Sequence, residues 1–292
     1  MKEMIFSERT SFRLGDEHGT VANIRTFLDR LGYMSLAQMV VAPDRAVFDA
    51  NLEQAVKKYQ GFHGLEPTGT IDQETRRVME MPRCGVPDLL MGQEAHPPGV
   101  AMFVLSGGKW PSYGITYRFV SGTGDLAGDT ERGIVRQAFD VWAGVTDLEF
   151  TEVTAASEAD ILLSWVTGDH GDGSPFDGPG HVLAHAFFPP PINPHPGIAG
   201  DMHFDDAETW SDTGAGGTID LLTVAIHELG HALGLRHTND PNAIMFPTYS
   251  GPNHTLGSDD ITGIRKIYPP LPWWVHLLRR IWKPFGRRYT RI

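Results

Sequence analysis

Apolar residues recur at helical spacing along the first third of the chain. Val21, Ile24, Leu28 and Leu31 fall three and four residues apart, and Phe48, Leu52, Ala55, Val56 and Tyr59 repeat the pattern further on. Each set lines one face of a helix, so both predict core-facing stripes. The run GLEPTGTID (64–72) breaks the period with glycine and proline and offers Asp72 as the N-cap of a third short helix. Residues 17–80 therefore predict a small helical bundle behind an N-terminal extension at 1–16. Residues 81–108 are rich in glycine and proline and are expected as a linker.

From Ile115 the texture changes. ITYRFV (115–120) and ADILLSW (159–165) read as strands, whereas TERGIVRQAFDVWAGV (130–145) sets Ile134, Ala138, Val141 and Trp142 at helical spacing. Helices are expected again at 219–234 and 258–268, and PPLP (269–272) closes the block. Between 168 and 206, Gly, Pro and Asp are too dense for backbone ladders alone to order the chain. Something other than an apolar core must hold that stretch. No internal repeat is present.

Composition narrows the partners. The 292 residues suffice for one large domain and a small one, and 41% hydrophobic with 21% charged residues is ordinary for a globular chain. The net charge of -12 is unevenly spread: residues 89–271 hold 7 Lys+Arg against 23 Asp+Glu, while 272–292 hold six basic residues and no acid. An acidic middle block argues against nucleic acid and favours oxygen-rich cation sites. MKEMIFSERTSFRLGD lacks the apolar run of roughly 7–15 residues that a secretory signal needs, so no signal peptide is recognisable. No stretch approaches the roughly 18 apolar residues of a membrane span. Cys84 is the single cysteine, which excludes an internal disulfide and leaves its thiol inert, regulatory or a metal ligand.

The segment HELGHALGLRH (227–237) carries the chemistry. His227 and His231, four residues apart on a helix, point the same way and share one metal ion. Gly234 can take positive φ, turning the chain so that His237 returns as a third nitrogen ligand. Three neutral imidazoles leave a zinc ion its charge and an open fourth position, the arrangement of a catalytic site. Glu228 stands beside that position as the base for a water molecule, and peptide hydrolysis is the natural reaction.

HELGHALGLRH, AIMFP (243–247) and PRCGVPD (82–88) together resemble the matrix metalloproteinases, matrixins of the metzincin clan, in their latent form. The resemblance runs from about residue 17 to Pro269. It implies an α+β fold: a helical-bundle propeptide, whose type peptidoglycan-binding domains share, plus a metzincin catalytic domain (109–270) with a mixed twisted sheet and three helices. It implies a zinc metalloendopeptidase acting on a protein or peptide, secreted or at the cell surface, expected as a monomer. Cys84 corresponds to the cysteine switch, its sulfur filling the zinc's fourth position, with Arg83 and Asp88 paired to hold the stretch across the cleft. Met245 corresponds to the methionine beneath the site. Cleavage near Met102 or Phe103 would free an ammonium to reach one of Asp259 and Asp260.

Ligand spacings also fill the irregular stretch. His170, Asp172, His185 and His203 could close a four-coordinate structural zinc site, at positions matching the matrixin one. Asp177, Asp205 and Glu208, with carbonyls near Gly178, Gly180 and Val182, suit calcium, and a second calcium has Asp160 and Asp201 with carbonyls of Gly197 and Ala199. HVLAHAF (181–187) resembles the edge strand on which matrixins lay substrate, giving Val182, Leu183 and Ala184 that role. PPPINPHP (189–196) is longer and richer in proline than the usual family loop.

The last segment, 271–292, departs from the family. Trp273, Trp274, Leu277, Leu278, Ile281, Trp282 and Phe285 fall at helical spacing with Arg279, Arg280, Lys283, Arg287 and Arg288 largely off that stripe, and Pro284 ends or kinks such a helix. Two readings stand: a membrane-surface helix, or docking onto the acidic middle block. A competing function for the whole chain is a cell-wall or calcium-dependent binding module with a non-catalytic metal site. Glu228 argues against it, because a site that no longer turns over has no need of a base.

Overall fold

The computed structural model describes residues 11–35, 44–89, 103–193 and 196–281. Among these, α1 (Gly19–Arg30), α2 (Ala50–Phe62) and α3 (Gln73–Met79) form an N-terminal body. Val21, Ile24 and Leu28 of α1 share one buried cluster with Leu52, Ala55, Val56 and Tyr59 of α2, so the two stripes meet as their spacing predicts. Each helix opens on a side-chain cap: His18 accepts from the Thr20 amide, Asp49 from Leu52 and Asp72 from Thr75. These satisfy backbone donors that have no partner inside the helix. Gly32 adopts φ 87°, and a Cβ there would lie 2.1 Å from the Leu89 carbonyl oxygen. The chain leaving the bundle crosses at that point, and Leu89 joins the same core.

The larger body is built on a six-stranded mixed sheet of order β1-β5-β6-β4-β2-β3. Its strands are β1 (Arg83–Cys84), β2 (Gly114–Phe119), β3 (Glu149–Glu152), β4 (Ile161–Val166), β5 (Val182–Ala186) and β6 (Met202–Asp205). β5 pairs antiparallel with β6 and every other pair is parallel. A short pair follows, β7 (Trp210–Ser211) with β8 (Ile219–Asp220). Three helices complete this body: α4 (Thr130–Ala143), α5 (Leu221–Ala232) and α6 (Ser258–Ile267). The fold is α+β, as the resemblance implies.

The apolar face of α4 puts Trp142 against α5, where its indole Nε1 donates to the Ile226 carbonyl at 2.9 Å. All twelve residues of α5 are buried, so this helix threads the core instead of lying on it. It begins at Leu221 and not at 219, because Ile219–Asp220 pair as β8 and Asp220 caps the helix through the Thr223 amide.

Residues 81–89 differ from a linker. Arg83–Cys84 adds an edge strand to the sheet, and Arg83, Cys84, Val86, Asp88 and Leu89 are buried. Glycine and proline there mark a fixed irregular path, since buried amides must find partners. At the far end of the predicted linker, Ser106 donates to the Gly234 carbonyl and Arg236 to that of Val104, so 104–106 belong to the larger body. Residues 90–102, with the expected cleavage position at Met102, lie outside the described residues. Helix α7 (Trp273–Ile281) follows a pinned exit, where the Tyr113 hydroxyl donates to the Pro269 carbonyl at 2.7 Å and the Leu271 amide to Asp147 at 2.6 Å. No described helix is long and apolar enough to cross a membrane.

Candidate active site and metal centres

Helix α5 ends through Leu233, and Gly234 takes φ 111°. That turn carries the chain back under the helix and brings His237 to the face already holding His227 and His231, with ring centroids 4.7–5.2 Å apart. Each ring is oriented through Nδ1: His227 toward the Ile244 carbonyl at 2.7 Å, His231 toward the Leu235 carbonyl at 2.8 Å, and His237 toward the Asp88 carboxylate at 2.9 Å. An Nδ1–H that donates outward leaves the Nε2 lone pair free to face inward. Nε2 of His227 and of His237 lie 3.2 Å apart, close to the ~3.3 Å separation of two nitrogens on one tetrahedral zinc. Nε2 of His231 is buried without a hydrogen-bond partner. Burial lowers all three histidine pKa values. Repulsion from neighbouring rings adds to the shift at His231 and at His227, which falls to about 3, and at His237 the Arg83 and Arg236 guanidiniums add to it against the raising effect of Asp88. The imidazoles are thus neutral at pH 7, the form a metal requires.

The fourth corner comes from β1. Cys84 Sγ lies within 4.8 Å of the ligand nitrogens of all three histidines. Its strand is clamped on both sides: Arg83 and Gly85 donate to the His181 and Ala184 carbonyls of one wall, while Cys84 donates to Pro247 and Tyr249 to Pro82 on the other. In register, Arg83 faces Val182 and Cys84 faces Ala184. The segment therefore occupies the edge along Val182, Leu183 and Ala184 that was expected to receive substrate. A cavity lined by Leu183, Val224, His227, Glu228, Ile244 and Tyr249 opens beside it.

Glu228 is buried next to the sulfur. Desolvation raises its carboxyl to about 8 against the hydrogen bond with Cys84, and Oε2 has no partner among the described residues. Below the cluster, Met245 packs so closely that a Cβ on Gly230 would lie 2.3 Å from its sulfur. Asp260 fixes that turn by accepting from the Ile244, Met245 and Gly257 amides, which occupies its oxygens. Asp259, by contrast, accepts the Phe103 backbone N–H.

Asp88 is a site residue with a partner that spacing did not reveal. Its carboxylate binds Arg83, as expected, and also His237 Nδ1 and the Tyr33 hydroxyl, with His63 Nε2 at 3.8 Å. Burial works to raise its pKa, but the Arg83 guanidinium and the donor from His237 hold it well below the usual carboxylate range. His237 lies 149 residues away, too far for any local pattern to announce.

The second cluster sits on the irregular stretch. Nε2 of His170, Nε2 of His185 and Nδ1 of His203 all lie 2.7–2.8 Å from one oxygen of Asp172. Three ring nitrogens crowd an oxygen that has about two acceptor sites, a geometry that fits a shared cation better than three hydrogen bonds. Among the described residues, these two clusters are the sets of three or more His, Cys, Asp or Glu whose ligand atoms lie within 4.8 Å of one another.

The calcium acids are placed differently. Asp177 accepts from the Val182 amide at 3.1 Å, Glu208 from Gly180 at 2.6 Å and Asp205 from Ala207 at 2.9 Å. They surround one turn without bringing their oxygens together. Asp160 accepts from the Thr116 amide and hydroxyl, and Asp201 from the Leu162 amide. Gly197 lies in a short 3-10 turn, Pro196–Ile198, with Ala199 just after it.

Comparison with known proteins agrees with this geometry. The matrixin family profile matches residues 109–269, which spans α4, α5, both histidine clusters and Met245. The chain belongs to the matrixin family. A putative peptidoglycan binding domain matches residues 17–79, the helical bundle. Among curated relatives, the matrixin chain is 40% identical to matrix metalloproteinase-16 of Homo sapiens over 259 residues, which is 85% of this chain and 41% of that protein. It is 45% identical to the interstitial collagenase of Bos taurus over 222 residues, 75% of this chain and 43% of that one. The chain thus spans about two fifths of the length of the relatives it matches.

Proposed function

We propose that this matrixin is a zinc-dependent endopeptidase held latent by its own N-terminal body, with Cys84 as the removable fourth ligand. The observation that carries the reading is the convergence of one thiol and three neutral imidazoles on a point beside the buried Glu228 carboxyl, whose Oε2 has no hydrogen-bond partner among the described residues. A zinc ion held by His227, His231 and His237 would supply Lewis acidity toward a scissile carbonyl and make water deprotonable near neutral pH. Glu228 would serve as base toward that water and as acid toward the leaving amine. The β5 edge orients an extended peptide through backbone hydrogen bonds, so many sequences fit and the adjoining cavity selects among side chains. While Arg83–Cys84 occupies that edge, neither the peptide nor the water has access.

His170, Asp172, His185 and His203 would hold a second, structural zinc, and the turn around Asp177, Asp205 and Glu208 would take calcium. The acids Asp160 and Asp201 form a weaker second calcium position. After cleavage near Phe103, Asp259 is the partner for the new ammonium, because Asp260 is committed to the turn beneath the zinc. The substrates are extracellular or cell-surface proteins, by likeness to the relatives named above.

Glu228→Ala tests the reading. Loss of a general base lowers peptide hydrolysis by about 10²–10⁴-fold in the activated enzyme, with zinc content unchanged. Unaltered hydrolysis of a fluorogenic peptide would refute the assignment.

A further inference from the structure

Among the described residues, helix α7 presents an exposed apolar face. Trp273 is 77% exposed, Trp274 and Leu277 are 51% exposed and Leu278 is 53% exposed. At about 100° per residue these positions share one arc of roughly 140°. The other large exposed apolar residues, Leu14, Val120 and Ile192, stand singly. Four such side chains on nine residues therefore form a patch that scattered surface exposure does not explain.

Charge says what covers it. Residues 272–292 hold six basic residues and no acid, whereas residues 1–271 hold 18 Lys+Arg against 36 Asp+Glu. An anionic surface attracts the tail and repels the body, which orients the molecule as well as binding it. Tryptophan rings favour the headgroup level, and leucine side chains reach the acyl boundary. Residues 272–292 interleave six Lys and Arg with their apolar positions and contain no run of the roughly 18 apolar residues that a membrane span needs, so an anchor here lies along the surface. Docking of α7 onto the acidic body would cover these four side chains, and they are exposed.

We propose that helix α7 is an interfacial anchor that holds this chain on an anionic lipid bilayer. The pinned exit at Pro269 and Leu271 fixes where the body stands above that surface. Binding at the bilayer is independent of peptidase activity and of latency.

Sedimentation of the full chain with phosphatidylcholine–phosphatidylserine vesicles tests this. Wild type pellets with them, and binding falls by about ten-fold or more in the combined variant Trp273→Ser, Trp274→Ser, Leu277→Ser, Leu278→Ser. A comparable fall is expected for Arg279→Glu with Arg280→Glu, for wild type at high salt and for phosphatidylcholine alone. All altered positions lie in the tail, and an unchanged melting temperature verifies that the body is intact. Equal pelleting of wild type and the serine variant, or equal binding to neutral vesicles, overturns the proposal. So does a wild type that ignores vesicles but forms a dimer lost in the serine variant, which would assign the patch to a second copy.

Discussion

The two histidine clusters use the same chemistry on different scaffolds. Three ligands of the first come from one rigid helix and the turn that ends it, and the fourth arrives on a separate strand that continues from the N-terminal bundle. All four ligands of the second lie within residues 170–203 and include a carboxylate. On the proposed reading the first cluster has a buried base beside it and a ligand that leaves with its body, whereas in the second the ligands are tied to the fold they order. On that reading a catalytic site differs from a structural one less in ligand type than in which ligand can depart.

The largest expected effect that sharpens this contrast falls on the second cluster. Asp172→Ala removes its central oxygen, and the stretch around it has little apolar core of its own. Loss of that zinc with destabilisation of about 4 kcal/mol is expected by thermal melting, with the first zinc retained. Loss of both metals together would show that the clusters are not independent. Next is Asp88→Asn, which leaves the buried Arg83 guanidinium unpaired and removes the anion from His237. A cost of about 3 kcal/mol raises the open population by on the order of 10²-fold, read as peptidase activity of the uncleaved chain. Unchanged latency would mean that the thiol alone holds the strand.

The smallest effect is a pH dependence. The His63 ring is buried against Tyr59 and Phe246, and desolvation lowers its pKa from 6.5 despite Asp88 nearby. Below about pH 6.5 the unfolded chain binds a proton that the folded chain resists, so stability present above that pH declines as pH falls toward the lower folded value. His63→Phe removes this contribution, so melting temperatures compared at pH 7.5 and 5.5 should fall less in the variant than in wild type. Equal declines would assign the loss to other groups.

Periodicity exposed the bundle, α4 and α5, because those elements bury one stripe or are apolar throughout. The His227, His231 and His237 arrangement was legible for a similar reason: helix geometry and one glycine dictate it locally. Glycine and proline at 81–89 concealed a strand, since they signal irregular backbone but not whether it is buried. The bond from His237 to Asp88, the role of Asp260 beneath Met245 and the partition of Asp259 toward Phe103 depend on residues brought together from distant positions. No spacing rule encodes those contacts. Residues 282–292, including Trp282, Lys283, Pro284, Phe285, Arg287 and Arg288, lie outside the described residues.

The central claim is that a thiolate closes the first cluster in the intact chain. Zinc K-edge X-ray absorption of the uncleaved protein reads it directly. With two zinc ions bound, one sulfur per two metals at about 2.3 Å is predicted, and that scatterer disappears in Cys84→Ser. A spectrum without sulfur in the intact chain, or one unchanged by Cys84→Ser, would contradict the account.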